Sequence, residues 1–94
     1  MHIIRFMEWD ARKAQENERK HDVRFSDVEP VFFDPLAITI EDSESASEQR
    51  FVTIGKDGFE RVLVVVYTYR GDEIRLISAR TATSREAIAY EEGI

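Results

Sequence analysis

Among the side chains of this sequence that carry positive charge or can transfer a proton, the candidates for chemistry are Lys20, His21, Arg50 and Arg80. Cleavage of RNA without a metal needs such groups. The ribose 2′-hydroxyl, which DNA lacks, attacks the adjacent phosphorus. A base takes its proton, an acid protonates the departing 5′ oxygen, and fixed cations stabilise the developing charge. Because imidazole titrates near neutrality, His21 could act as base or acid, and arginines hold phosphate in bidentate forks. The alternative for each arginine is a strand residue that reaches solvent or pairs with an acid.

Lys20 and His21 end a predicted helix that has few apolar residues. Asp10 is a good N-cap, and the helix from Ala11 to about His21 contains only two apolar residues, both alanines, so a wide hydrophobic face cannot hold it. Polar residues instead recur at helical spacing and form one basic stripe. The stripe consists of Lys13, Asn17, Lys20 and His21. Spacing alone favours a solvated face, supported by an i,i+4 pair such as Glu16 with Lys20, over a binding site.

The sequence lacks the motifs of several other kinds of site. It has no cysteine, its two histidines are far apart at positions 2 and 21, and it contains no HExxH, CxxC or Asp-rich calcium loop, so we expect no metal site. The four glycines fall at predicted turns and a helix end, not in a phosphate-binding loop, and a G-x-S-x-G elbow is absent. We therefore expect no cofactor.

Length and charge narrow the class of protein. Ninety-four residues suffice for one domain, residues 1–94. A net charge of −6 argues against indiscriminate nucleic-acid binding, and against direct DNA binding without a basic partner, because phosphate contacts need Lys and Arg. No apolar stretch is long enough to span a membrane, and Met1–Phe6 lacks the features of a signal peptide. With no cysteine for disulfides, the predicted location is the cytoplasm.

The segment Arg61–Tyr69 is the predicted centre of the fold. It is β-branched and aromatic without interruption, which is typical of a strand covered on both faces. Asp57-Gly58 precedes it and Gly71-Asp72 follows it, and both pairs suit tight hairpins. Because Gln49–Lys56 and Glu73–Thr81 are also strand-like, we predict a three-stranded antiparallel meander.

The register of this meander decides which side chains share a face. If both turns are two-residue loops, Arg50 and Ser78 both lie opposite Val65, and directly opposed residues project from the same face. One face would then carry Arg50, Tyr67, Ser78 and Arg80. The other would carry Phe51, Val62, Val64, Val66 and Ile77. An odd-length loop would reverse the parity and separate the two arginines.

Weaker signals complete an α+β fold: a small antiparallel sheet around the meander, packed by an N-terminal helical pair and a C-terminal helix. An edge strand is predicted at Ile3–Met7 and another strand at Leu36–Ile40, followed by an acidic, Ser-rich loop at Glu41–Glu48. Ser26 and Glu29 form a capping-box pattern that predicts a brief helix ending before Asp34-Pro35. A second capping box, Thr83 with Glu86, predicts a helix to about Glu92, with Gly93 as its stop.

These residues belong to a pattern that covers nearly the whole chain. It comprises Phe6-x-x-Trp9-Asp10-x-x-Lys13-x-x-x-Asn17-x-x-Lys20-His21, Phe25, Val31-Phe32-Phe33-Asp34-Pro35, Glu48-Gln49-Arg50-Phe51-Val52-Thr53-Ile54-Gly55, Val64-Val65-Val66-Tyr67, Arg75-Leu76-Ile77-Ser78-Ala79-Arg80-x-Ala82 and Arg85-Glu86-x-x-x-Tyr90-Glu91. The pattern resembles the BrnT family of type II toxins. Its first and sixth segments are specific when taken together.

The resemblance implies a RelE-like α+β fold and a ribonuclease activity that halts translation. It also implies neutralisation by a BrnA antitoxin, whose ribbon-helix-helix portion dimerises and binds the operon's promoter, so that the toxin reaches DNA only through its partner. By matching position, the resemblance makes Lys20, His21, Arg50 and Arg80 the catalytic residues. It makes Lys13, Asn17, Glu48 and Tyr90 the secondary, substrate-binding candidates. A site then becomes the preferred explanation of the helix stripe, because an acidic chain that keeps its cations together needs a reason.

Three positions depart from the family pattern. Asp22 stands where glycine is common after the Lys-His pair, Gln49 replaces a frequent arginine, and Pro30 interrupts a helix that is usually free of proline. A left-handed helix end is easier for glycine than for aspartate. Together with the acidic balance, the Asp22 and Gln49 departures favour the alternative function, a non-catalytic protein-binding module that acts only as an antitoxin partner and co-regulator of its operon.

Overall fold

The computed structural model describes residues 6–42 and 48–93, and within them the chain has an α+β architecture. In chain order the elements are β1 (Met7–Glu8), α1 (Ala11–His21), two 3₁₀ helices (Phe25–Asp27 and Glu29–Phe33), β2 (Ile38–Asp42), β3 (Arg50–Lys56), β4 (Val62–Arg70), β5 (Glu73–Thr81) and α2 (Ser84–Glu92). No helix within the described stretches is long and apolar enough to cross a bilayer.

The five strands form one mixed sheet in the order β1-β5-β4-β3-β2. The antiparallel meander β3-β4-β5 is confirmed, and β2 extends it antiparallel to β3. The predicted sheet is wrong at its other edge, since β1 runs parallel to β5 and pairs Met7 with Ile74. A parallel pair needs a long connection, which α1 begins. Part of the predicted strand Ile3–Met7 lies outside the described residues, as does most of the predicted acidic loop.

The two predicted tight turns have different outcomes. The Gly71-Asp72 turn is confirmed, with Gly71 at φ 62° and Arg70 paired with Glu73. The Asp57-Gly58 turn is wrong, because Lys56 pairs with Val62 and residues 57–61 form a longer loop. The buried Asp57 carboxylate holds this loop: it accepts the backbone N–H of residue 59 at 2.9 Å and that of residue 61 at 2.8 Å. A carboxylate that binds its own loop in this way competes with a two-residue hairpin.

The register therefore differs from the predicted one at both hairpins. The odd loop reverses the parity between β3 and β4, as anticipated. Between β4 and β5, however, a β-bulge leaves Ile77 unpaired, so that Tyr67 faces Leu76 whereas Val66 faces Ser78. The bulge reverses the parity a second time. The two reversals cancel for the arginines: Arg50 and Arg80 share a face, as predicted.

Ser78 also shares the face of the arginines and Phe51 lies opposite, as predicted, whereas the predicted members from β4 are exchanged. Arg80 faces Val64, and the face with the arginines also carries Val62 and Val66, which were predicted to lie opposite. Tyr67 and Phe51 lie on the other face with their rings stacked at 5.8 Å. The extra residue of the bulge lies within β5, so a count of loop lengths could not reveal it.

The main core lies on the Tyr67 face, under α1 and the 3₁₀ helices. It consists of Val23, Phe25, Val28, Val31, Leu63, Val65, Tyr67, Ile74, Leu76 and Ala79. On the opposite face Val64 is also buried, and an ion pair joins Arg80 on this face to Glu86 on α2. The sheet is thus covered on both faces at its centre, in agreement with the uninterrupted apolarity of β4.

Two of the three predicted helix starts are confirmed by their capping hydrogen bonds. Asp10 caps α1 by accepting the N–H of residues 12 and 13, and the capping box of Thr83 with Glu86 begins α2 as predicted. The Ser26 capping box is wrong, since Ser26 lies inside the first 3₁₀ helix and caps nothing. Pro30 is at the start of the second 3₁₀ helix, where its missing N–H is tolerated, and that helix ends before Asp34 as predicted.

The predicted strand Leu36–Ile40 begins two residues later than expected, as β2 at Ile38. Asp34 causes the delay: its side chain accepts the N–H of Leu36 at 2.9 Å, and its carbonyl accepts the N–H of Ala37 at 3.0 Å. The chain is thereby held in a turn that cannot join the ladder.

Candidate active site

A groove of about 220 Å³ runs between α1 and β5, and the predicted basic stripe of α1 forms one of its walls. The groove is lined by Lys13, Glu16, Asn17, Lys20, His21, Ile77 and Ser78. All four stripe residues therefore share one face, as their spacing predicted. Lys13, Lys20 and His21 are exposed. In the part of the chain that the structure describes, no ion pair within 4.0 Å joins Glu16 to Lys20, so the proposed i,i+4 pair does not neutralise the stripe.

Asn17 fixes the helix against the sheet and so defines the groove. Its side chain is buried and bonds the outer edge of β5 as a neighbouring strand would: Nδ2 donates to the carbonyl of Ala79 at 2.8 Å, and Oδ1 accepts the N–H of Ala79 at 3.0 Å. The same Nδ2 donates to the carbonyl of Val23 at 3.0 Å. These bonds occupy most of the polar capacity of the amide. Sequence reasoning made Asn17 a substrate-binding candidate, whereas its observed bonds are to backbone.

The β-bulge forms the opposite wall of the groove. It leaves Ile77 without a partner on β4 and places Ser78 next to the stripe, although neither residue was predicted as part of a site. Bulges commonly re-aim side chains beside active sites. Arg80 lies two residues further along the same strand and on the same face as Ser78, about 7 Å away along the backbone. Lys20 and His21 therefore line the groove with Ser78, and Arg80 lies two residues beyond Ser78 on β5.

Arg80 is engaged by an acid of α2. Its Nη1 and Nη2 donate to Oε1 and Oε2 of Glu86, both at 2.8 Å, and the Arg80 side chain is 39% exposed. The hydrogen bond from Arg80 is the main cause that lowers the pKa of Glu86 to about 2, and the same contact raises the pKa of Arg80. The pairing with an acid that sequence reasoning kept as an alternative is therefore present, at an arginine that remains accessible.

Arg50 lies apart from this group. It faces Asp42 on β2, and its separation from Arg80 is four residues along the strands and two strands across, roughly 16 Å between the backbones. Its Nε is 3.6 Å from the carboxylate of Glu48, and this buried nitrogen makes no hydrogen bond to residues 6–42 or 48–93. Arg50 and Glu48 therefore form a second polar position on the same face of the sheet.

Tyr90 is remote from the groove. It is buried at the far end of α2, where its hydroxyl donates to the Asp34 carboxylate that also accepts the N–H of Lys56. This hydrogen bond, with burial as the next cause, raises the pKa of Tyr90 to about 12. The contact fastens α2 to the turn before β2, and the predicted substrate-binding residue is here part of the packing.

A larger cleft of about 450 Å³ lies on the other side of α1 and mixes both charges. It is lined by Glu18, Asp22, Arg24, Asp27, Phe59 and Arg61. Arg61 donates to the Asp57 carboxylate at 2.8 Å and to the carbonyl of Asp22 at 3.2 Å, so it ties the end of α1 to the 57–61 loop. The cleft is therefore part of the scaffold that supports the groove. Among the residues that the structure describes, no group of three or more His, Cys, Asp or Glu side chains is arranged to hold a metal.

Comparison with known proteins places the chain in a family. The sequence profile described as the ribonuclease toxin BrnT of type II toxin–antitoxin systems matches residues 9–86. Among solved structures, the chain is similar to the Brucella abortus ribonuclease toxin BrnT, with a TM-score of 0.68 and 26% identity over 84% of this chain and 99% of that one. No curated protein matches. The family match spans most of the chain, including the groove and Arg80, and the protein therefore belongs to the BrnT family of ribonuclease toxins of type II toxin–antitoxin systems.

Proposed function

We propose that this protein is a RelE-like endoribonuclease toxin of the cytoplasm, which cleaves RNA without a metal, inhibits translation and is neutralised by a BrnA-type antitoxin. The main support is that Lys13, Lys20 and His21 line one groove beside β5, although the chain has a net charge of −6. Clustered cations in an acidic protein create a local attraction for a phosphate backbone that the net charge opposes elsewhere.

The proposed reaction joins the ribose 2′ oxygen to phosphorus and breaks the bond from phosphorus to the 5′ oxygen. His21 takes the proton of the 2′-hydroxyl or returns one to the 5′ oxygen, since an imidazole can act as a base or as an acid. Lys20 and Arg80 stabilise the negative charge that develops on the phosphate. The products are a 2′,3′-cyclic phosphate and a 5′-hydroxyl end.

The remaining predicted residues would act away from the scissile phosphate. Lys13 lies about 10 Å from Lys20 along the helix axis, which suits contact with a neighbouring phosphate of the same strand. Arg50, with Glu48 beside it, would meet RNA that extends across the sheet. For Asn17 and Tyr90 we now propose a supporting role, because their polar groups bond protein atoms. DNA would be reached only through the antitoxin.

Cleavage by purified protein tests the proposal. Wild-type protein with a defined RNA in the presence of EDTA should yield 2′,3′-cyclic phosphate ends, and His21→Ala and Lys20→Ala should lower the rate at least 100-fold. Arg19→Ala is the matched control, since Arg19 is an exposed cation of the same helix that does not line the groove. Equal loss in the control, or equal activity of all variants, would refute the assigned site.

Induction in cells tests the biological part. Wild-type protein should arrest growth and protein synthesis, and co-expression of the adjacent antitoxin gene should restore both. Cells that carry Arg80→Ala or His21→Ala should continue to grow. Arrest by a protein that leaves RNA intact would contradict ribonuclease action as the cause.

The second candidate function is a non-catalytic antitoxin partner. It is favoured by the acids next to both arginines, since Glu86 binds Arg80 and Glu48 lies 3.6 Å from Arg50. In that case the wild-type protein would bind the antitoxin tightly and leave RNA intact in the cleavage assay.

A further inference from the structure

The hydrogen bonds of Arg80 leave one edge of its guanidinium group unused. A guanidinium has five N–H donors in a fixed plane. The end of the group, Nη1 and Nη2, donates to the two oxygens of Glu86 at 2.8 Å each, and Nη1 also donates to the carbonyl of Thr81 at 3.3 Å. The side edge, Nε with the outer hydrogen of Nη2, makes no hydrogen bond within the described residues. Two parallel donors on one edge match two oxygens of a phosphate.

Glu86 is itself held by the backbone, so it can orient Arg80. Its Oε1 accepts the backbone N–H of Thr83 at 2.9 Å, a bond that does not involve the Thr83 side chain. The carboxylate is thereby fixed at the first turn of α2. Because the pKa of Glu86 lies near 2, its charge persists over the whole physiological range.

The Arg80 side chain is accessible, and it lies on the strand that forms one wall of the groove. The side chain is 39% exposed, and Arg80 shares its face of β5 with Ser78, which lines the groove with Lys20 and His21. An unpaired arginine would lose side-chain entropy when it met a phosphate, whereas a clamped one has already lost it.

We propose that Glu86 is a positioning residue for RNA cleavage: it clamps the end of the Arg80 guanidinium so that the Nε–Nη2 edge meets the two non-bridging oxygens of the scissile phosphodiester. The inference rests on the proposed function, in which Arg80 stabilises the phosphate. Glu86 touches no substrate and acts through Arg80.

A pair of substitutions separates positioning from simple stabilisation. Glu86→Gln retains a side-chain oxygen that can accept the N–H of Thr83, since glutamine also forms capping boxes, but it replaces the second acceptor by a donor that faces Arg80. Thr83→Ala removes the cap and leaves the ion pair in place. We expect Glu86→Gln to lower kcat for RNA cleavage 10- to 100-fold, with a smaller change in KM and a Tm within a few degrees of wild type. Thr83→Ala should lower Tm by roughly 4–8 °C and leave cleavage per folded molecule unchanged.

The double variant tests whether Glu86 acts through Arg80. Under single-turnover conditions with excess protein, Glu86→Gln should have no further effect in an Arg80→Ala background. If Arg80→Ala is impaired while Glu86→Gln cleaves at the wild-type rate, or if the two losses multiply, the positioning role is wrong and the proposed function stands. If Arg80→Ala cleaves at the wild-type rate, the role of Arg80 in the proposed function is wrong, and the role of Glu86 is wrong with it.

Discussion

Replacement of Asn17 by alanine should destabilise the fold strongly, although the residue is a polar member of an exposed helix. The substitution removes three hydrogen bonds and leaves buried backbone groups of Ala79 and Val23 without partners; both residues are fully buried. Each unsatisfied buried group costs about 1–3 kcal/mol. Because the adjoining groove can admit water to part of the site, we take the lower end and expect a loss of about 3 kcal/mol.

That loss is large for a domain of 94 residues. It corresponds to a decrease in Tm of roughly 12–24 °C, from a total stability of about 5–15 kcal/mol. Urea denaturation followed by fluorescence of Trp9 measures it directly, since the chain has one tryptophan, whose ring lies edge-on to Phe25 at a centroid distance of 6.2 Å. Lys13→Ala is the control on the same helix, and it should change the free energy of unfolding by less than about 0.5 kcal/mol.

A second variant separates the donors of Asn17 from its acceptor. Asn17→Asp keeps an oxygen for the N–H of Ala79 but turns a carboxylate towards the carbonyls of Val23 and Ala79. At neutral pH it should be at least as unstable as Asn17→Ala. The reasoning is refuted if Asn17→Ala costs less than about 1 kcal/mol, or if Asn17→Asp matches the stability of wild type.

Three further predictions concern stability. Asp22→Gly should raise the free energy of unfolding, measured by thermal unfolding, by about 1 kcal/mol. Asp22 has φ 58° at the end of α1, and its negative charge lies at the negative end of the helix dipole. A lower free energy of unfolding for the variant would contradict this reasoning. Gly55→Ala should cost about 1–3 kcal/mol in the same assay, since its Cβ would lie 3.0 Å from Cγ1 and 3.1 Å from the carbonyl oxygen of Val31, and an unchanged Tm would show that the backbone yields. The Tm of wild type should exceed that of Arg80→Ala above pH 4.5, the ordinary pKa of Glu86, and the difference should decline as the pH falls towards 2. The reason is that Arg80 lowers the pKa of Glu86 in the folded state by stabilising only the ionised carboxylate. A Tm difference that stays constant down to pH 2 would exclude the Arg80–Glu86 pair as its cause.

The helix ends and the meander were predictable because the interactions that determine them are local. A capping carboxylate at Asp10, the reciprocal bonds of Thr83 with Glu86, and the left-handed Gly71 all act within four residues. The basic stripe of α1 follows from helical periodicity in the same way, and the structure brings its members to one groove. For the same reason the family pattern, which collects such signals, extends over most of the chain.

Sequence alone therefore determined the kinds and order of the main elements and the face on which the helix cations lie. Only the tertiary structure decided the register, the β-bulge at Ile77 and the bonds of Asn17 to the edge of β5. A strand can pair in two parities at nearly the same local energy, and the choice depends on burial and hydrogen bonds between residues distant in sequence. The two arginines share a face only because two such non-local choices, the 57–61 loop and the bulge, cancel each other.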